Sequence, residues 1–349
     1  MTETPATFVA QHGWFRRIVR LLVVLVLLLA VAGFLYENIS EARDRRFNSM
    51  AGKLVDVGGF KMHIDCTGEG SPTVILDSGL GDSYISWRKV QPQIAKFTRV
   101  CSYDRAGLGY SDSSSRPRTS QVMAEELHAL LQAASIAPPY LLVGHSMGGY
   151  DVRLYASLYR KEVAGMVFVD ASHPDQEKRF PPALKSLHAK WTRQLEFMEF
   201  AMSFGIPRMS GFCSTHAVVR AAECNFHTLR EKVAEEKALS ESAAQAAATA
   251  PLGDLPLAVL SHDPGEHAVP GVAPDVMKSV ETAWNQMQEE LSHLSTGGTR
   301  TIAKNSSHYI QMDRPDLVVE AVRTVLDEAR AKDSASPPSH QGNGTETIP

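Results

Sequence analysis

Metal-binding patterns are missing from this chain. There is no H-E-x-x-H, the four cysteines form no C-x-x-C pair, and the thirteen histidines are scattered. Neither a zinc-protease helix nor a cysteine-rich metal site is encoded, so no metal is expected. A basic patch is missing too. The formal charge is −4, and nothing in that balance favours nucleic acid as a partner. The Gly107-x-Gly109 step is not followed by the Lys-Ser or Lys-Thr of a phosphate cradle, and no cofactor is expected. No internal repeat is visible.

Long apolar runs are absent except at one place. Residues 21–36 are uninterrupted apolar sequence, preceded by Arg16, Arg17 and Arg20. Snorkelling by Arg20 adds Ile18 and Val19, which brings the segment 18–36 close to spanning length. A helix buried in a soluble core would carry a polar face, and this one has none. The expectation is a single-pass signal anchor with the bulk of the chain extracytoplasmic. The alternative is secretion after cleavage near Ala30-Val31-Ala32. Arg43, Arg45 and Arg46 balance the three arginines on the other side, so orientation rests on the short N-terminal tail and the signal-like layout. The expected organisation is a tail over 1–17, the anchor over 18–36, a linker over 37–50 and one domain over 51–331. The Pro-, Ser- and Gly-containing segment 332–349 is expected to be disordered.

Within 51–331 short β-rich runs alternate with helical stretches, the pattern of an α/β sheet. "KLVDVGGFKMHIDCTG" reads as a hairpin turning at Gly58-Gly59. "PTVILDSG", "FTRVCSYDRAG", "YLLVGHS", "AGMVFVDAS", "LPLAVLSHD" and "TRTIAKNSSH" read as further strands. "SQVMAEELHALLQAASI" places Val122, Leu127, Leu130 and Leu131 on one helical face. The spacing breaks once, between His173 and about Gly253, where roughly eighty residues carry helical pattern and no strand. The insertion is rich in Phe, Met and Trp, and its aromatics are expected to line an apolar pocket. The predicted fold is a mostly parallel twisted sheet of about eight strands with helices on both faces. A helical lid lies between strands 6 and 7, and a transmembrane helix precedes the whole.

Chemistry is carried by "GHSMGG" at the end of an apolar run. A serine hydroxyl is a poor nucleophile until a base takes its proton and donors stabilise the oxyanion. A tight strand-to-helix turn presents Ser146 above the sheet, and Gly144, Gly148 and Gly149 let backbone approach closely. The motifs "LDSGLGDS", "YDRAGLGYSD", "GHSMGG" and "NSSHYIQMDRP" stand in one order. Together they resemble the α/β-hydrolase fold family, in its serine-hydrolase (esterase- or lipase-like) branch, over about 51–331.

That resemblance implies Ser146 as nucleophile and His308 as general base. Backbone N–H groups of Leu80 and Met147 would form the oxyanion hole. Many relatives carry His-Gly before the first of these donors, where this chain has Ser78-Gly79. Asp104 and Arg105 are implied to be a charged pair pinning a loop at the rim, and His145 to support the turn. Two places are available for the acid. The expectation falls on Asp263 in "SHDPGEH", with Asp170 in "VFVDAS" as the alternative.

The implied activity is hydrolysis of an ester or related acyl bond of a small, apolar substrate through an acyl-enzyme. An acyltransferase on the same triad, or a ligand-binding protein of hydrolase fold, is the alternative. Hydrolytic dehalogenases and epoxide hydrolases of this fold need an aspartate where Ser146 stands. Strand neighbourhood in the family also implies a Cys66–Cys101 disulfide, with Cys213–Cys224 able to close a short loop in the insertion.

Overall fold

The computed structural model describes residues 6–48, 50–265 and 272–335, with side chains from residue 14 onward. The expected N-terminal tail lies in part, and the expected C-terminal tail mostly, outside these residues. Eight strands form one sheet in the order β1-β2-β4-β3-β5-β6-β7-β8. They are β1 Lys53–Asp56, β2 Lys61–Thr67, β3 Thr73–Asp77, β4 Val100–Tyr103, β5 Tyr140–His145, β6 Val163–Val169, β7 Leu257–His262 and β8 Thr299–Ala303. The β1–β2 and β2–β4 pairs are antiparallel, and the remaining pairs are parallel.

The central strands are apolar on both faces because both faces are covered. Ile75, Leu142, Phe168 and Val259 point into one core, shared with α2 (Ser120–Ala133) and α3 (Gly148–Leu158). Their neighbours Leu76, Leu141, Val167 and Leu260 point into the other, under Pro315–Ala335. Each such fully buried side chain stabilises the fold by roughly 1.5–3 kcal/mol. With both faces sealed, the carboxyl ends of the strands are where chemistry can meet solvent.

The insertion between β6 and β7 is helical, as its pattern predicts. It contains α4 (Pro182–Met202), α5 (Ala217–Glu223) and α6 (Phe226–Ala247). Asn225 caps α6, its side-chain oxygen accepting from the Thr228 N–H at 2.8 Å. Leu195, Met202, Leu229 and Val233 give the lid a small core of its own. Among the described residues two long helices follow the lid, α7 (Pro274–Ser292) and α8, the Pro315–Ala335 helix.

The N-terminus departs from expectation. One helix, α1, runs without interruption from Ala6 to Phe47, 42 residues, or about 63 Å. The segment 37–50 is therefore no linker but largely helix. It holds no Pro or Gly, and its acids face arginines. Glu41 pairs with Arg45 one turn on at 3.2 Å, and Glu37 and Asp44 meet Arg208 of the lid. Helix α8 likewise carries the domain to Ala335, four residues into the segment expected to be disordered.

Both disulfides are formed. Cys66 lies directly opposite Cys101 in the β2–β4 ladder, Cα–Cα 4.1 Å, and Cys213–Cys224 staples the lid, Cα–Cα 5.6 Å. The first bridge closes a loop of 35 residues, which restricts the unfolded chain. Replacing Cys66 and Cys101 together by Ala should lower unfolding free energy by about 2–4 kcal/mol in urea titrations. An unchanged midpoint would show that the bridge adds nothing.

Candidate active site

Strand β5 ends at His145, α3 begins at Gly148, and the turn between them forces Ser146 to φ +52°. Left-handed backbone at a serine is strained and persists only where surroundings impose it. Here the Ser146 N–H donates to Val169 O (3.3 Å) and the Ser172 N–H to Ser146 O (2.9 Å), so the end of β6 clamps the turn from both sides. The glycines have steric reasons. A Cβ on Gly144 would stand 2.5 Å from Gly148 O, and one on Gly148 would stand 2.6 Å from Ser78 O. Met147 sits at the N-cap of α3, where N–H groups precede the helical ladder.

A cavity of about 230 Å³ opens above this turn. Ser146, His308, Leu80 and Met147 all line it, so the expected nucleophile, base and oxyanion donors are brought to one place. Asp170 lies beneath, fully buried, just past the end of β6 and also at positive φ (+45°). Its Oδ2 accepts from His308 Nδ1 at 2.6 Å.

The expected acid, Asp263, is elsewhere. It accepts from the Asn305 N–H (3.1 Å), the Gly265 N–H (3.3 Å) and Lys304 Nζ (3.3 Å), at the outer side of the β8 loop. Of the two expected positions it is the alternative, Asp170, and not Asp263, that stands against His308. The reason is alternation: His262, the last residue of β7, points at Asp170, so its successor points away.

Sequence reasoning missed what holds Asp170. His262 donates to it twice, from its backbone N–H (3.0 Å) and from Nδ1 (2.7 Å), and Trp284 Nε1 donates at 2.9 Å. His262 Nε2 in turn meets Glu281 at 2.9 Å. Burial alone would raise the Asp170 carboxyl, but hydrogen bonds from His262 and His308 outweigh it and hold the group well below the usual carboxylate range. Burial opposes charge on His262 as well, yet its two carboxylate partners push its pKa up to about 9. Asp170, His262 and His308 have ligand atoms within 4.8 Å of one another. Hydrogen bonds already account for that closeness.

The turn expected to carry a charged pair works differently. Asp104 and Arg105 do not pair with each other. Asp104 meets His63 (2.8 Å) and accepts the Tyr84 and Tyr110 N–H groups. Arg105, buried, binds Asp77 (2.8 Å), Glu235 of the lid helix α6 (2.7 Å) and the carbonyls of Ser78 and Gly79, 2.7 Å each. Glu235 also accepts the Gly81 N–H at 2.7 Å. Arg105 thus fixes the backbone around Leu80. His145 plays the supporting part expected of it: Nε2 donates to His308 O at 3.0 Å, and burial, with His308 beside it, drops its pKa to about 3. Of the insertion's aromatics only Trp191 lines the cavity. Lys232, Glu236 and Asp82 line it too, so the wall is more polar than expected.

The two shifts set a pH window. Asp170 is depressed, so its contribution is present at neutral pH and lost on acidification. His262 is raised from 6.5 to about 9, so its contribution is complete below 6.5 and lost as pH climbs through about 9. Urea unfolding should therefore show His262→Gln less stable than wild type at pH 6, with the gap shrinking by pH 10. A gap independent of pH would rule out a charged His262.

Comparison with known proteins agrees with this architecture. A family model described as alpha/beta hydrolase fold matches residues 72–202. An uncharacterized Bacillus subtilis protein, YqjL, is 29% identical over 258 residues, covering 74% of this chain and 85% of that one. Among solved structures, a putative epoxide hydrolase mutant from Pseudomonas aeruginosa superposes with TM-score 0.60 at 17% identity, over 80% of this chain and 96% of that one. A putative lipase from Acinetobacter baumannii superposes with TM-score 0.59 at 18% identity, over 85% and 97%. The chain has the α/β-hydrolase fold.

Proposed function

We propose that this chain is a serine hydrolase that cleaves an ester or related acyl bond. One observation carries the reading: a buried, ionised Asp170 holds the imidazole of His308 at the mouth of the cavity that the strained Ser146 also lines. With Nδ1 committed to Asp170, Nε2 is the nitrogen that receives the Ser146 proton. The Oγ then bonds to the acyl carbon, and the carbonyl oxygen, now negative, sits toward the Leu80 and Met147 N–H groups. On collapse the leaving alcohol departs with the proton from His308. Water repeats the sequence on the acyl-enzyme: its proton goes to His308, its oxygen to the acyl carbon, and Ser146 leaves with the proton.

Asp170 does not take a proton in this cycle; it fixes the ring and stabilises its cation. A serine at residue 146 supplies no carboxylate to open an epoxide, which sets the chain apart from the epoxide hydrolases among its structural neighbours. The cavity volume of about 230 Å³ suits the reacting end of a substrate, the acyl bond and its nearest groups. Trp191 and Leu239 offer it an apolar wall, while Asp82, Lys232 and Glu236 offer a polar one. A substrate carrying a polar group beside the acyl bond fits both. Helix α1, exposed along its apolar window, supports membrane anchoring, and the two disulfides support an oxidising compartment.

Turnover of p-nitrophenyl butyrate by the full chain tests the assignment. Ser146→Ala should abolish it in a folded protein, and Asp170→Asn should slow it by on the order of 10⁴-fold. Asp263→Asn should stay within about threefold of wild type, as expected of a residue away from the reacting atoms. Near-normal turnover in Ser146→Ala, or a larger loss from Asp263→Asn than from Asp170→Asn, would overturn it.

A further inference from the structure

Helix α1 and the lid meet at one level, and that level is where the apolar run ends. Residue 37 is the first acid after the run. Just before it, Gly33 lies so close to the lid that a Cβ there would stand 2.4 Å from Phe204 O. Gly205, at φ +68°, packs on the Tyr36 ring. Just after it, Arg208 holds Glu37 at 3.1 Å in a largely buried pair, and Asp44 is gripped by both Arg208 and Arg220 (3.1 Å to the latter). Ion pairs withdrawn from water around backbone this close make a fixed mount rather than a chance touch. The lid is therefore attached to the end of the candidate span.

Around that mount the lid leaves large apolar side chains uncovered. Phe197, Phe200, Ile206, Met209 and Phe212 are 47–67% exposed. A stapled lid with a core of its own has no need of so many in water. They flank, in sequence, the residues that grip α1. With residues 18–36 across a bilayer, this edge of the lid falls at the boundary between acyl chains and headgroups.

Behind the edge lies a second cavity, about 310 Å³. Phe212 and Arg220 stand at its outer side, Leu195, Met202, Val219 and Leu229 line it with apolar side chains, and Glu223, which accepts from Ser83 Oγ at 2.8 Å, adds one carboxylate to the wall. At its inner side are Asp82 and Lys232, which also line the cavity holding Ser146 and His308. The two cavities share a wall.

We propose that this second cavity is an acyl-chain channel opening onto the bilayer, and that the substrate is a membrane-resident amphiphile with a long acyl ester. The chain lies among Leu195, Met202, Val219 and Leu229, the carbonyl reaches Ser146, and the polar part of the molecule meets Asp82 and Lys232. The proposal rests on the serine-hydrolase reading and on α1 crossing the membrane.

The full chain in phosphatidylcholine vesicles tests it, with an environment-sensitive fluorophore on one introduced cysteine at a time and a spin label at the fifth acyl carbon as quencher. Phe200→Cys on the lid edge should be quenched at least about twofold more than Glu328→Cys on α8, and comparably to Leu25→Cys in the span. Quenching at Leu25→Cys but not at Phe200→Cys would leave the anchor standing and overturn the proposal. Quenching at neither would overturn the anchor, and the proposal with it. In parallel, Val219→Trp should lower the ratio of p-nitrophenyl dodecanoate to butyrate hydrolysis by about tenfold, and Val219→Phe by less. An unchanged ratio in both variants would show that the chain binds elsewhere. No hydrolysis of either ester by wild type would instead sink the serine-hydrolase reading, whatever the quenching shows.

Discussion

A carboxylate buried without water must be surrounded by donors, and the candidate site is organised around one that is. Asp170 receives N–H groups from the end of β7, from α7 and from the loop after β8. Removing any of them would leave charge stranded in a low-dielectric interior, at a cost of roughly 1–3 kcal/mol or more. The demand works in both directions. The donors keep Asp170 ionised, and Asp170 keeps three separate segments in register at the carboxyl edge of the sheet. His308 gains a fixed ring orientation from this.

A second buried ion does for the oxyanion loop what Asp170 does for the histidine. Arg105 spends its guanidinium on Asp77, on Glu235 and on two carbonyls, so the backbone leading to Leu80 is held from below while α6 of the lid is held from above. The lid is thus tied at two ends, to the loop that carries Leu80 through Glu235 and to α1 through Arg208 and Arg220. A movement of the lid relative to α1 would be felt at the loop that carries the expected oxyanion donor. That coupling follows from buried charges with few alternative partners.

Much of this was legible in the sequence, and the rest was hidden for identifiable reasons. The eight strands, the position of the lid and the Ser146 turn were readable because each is a local signal: apolar runs bounded by turn residues, a gap in strand spacing, a serine among glycines. His308 was readable from its order after the last strand. The choice between Asp170 and Asp263 was not, because it depends on which side of a strand end faces the histidine, and both residues sit one step beyond a strand. His262 gave no sequence signal, since a histidine beside an aspartate at a strand end is ordinary. Only the β6–β7 register places its ring on Asp170. The helical nature of 37–47 was obscured by charged residues that look like a linker until their partners, distant in sequence, are known.

The central claim is that Asp170 and His308 make Ser146 a nucleophile. Reaction of the full chain with a fluorophosphonate, followed by peptide mapping, addresses it most directly. The account predicts a single adduct on the peptide "YLLVGHSMGGYDVR" at Ser146, formed much more slowly in Asp170→Asn and at normal speed in Asp263→Asn. No adduct on the folded wild-type chain, or an adduct on another serine, would contradict it.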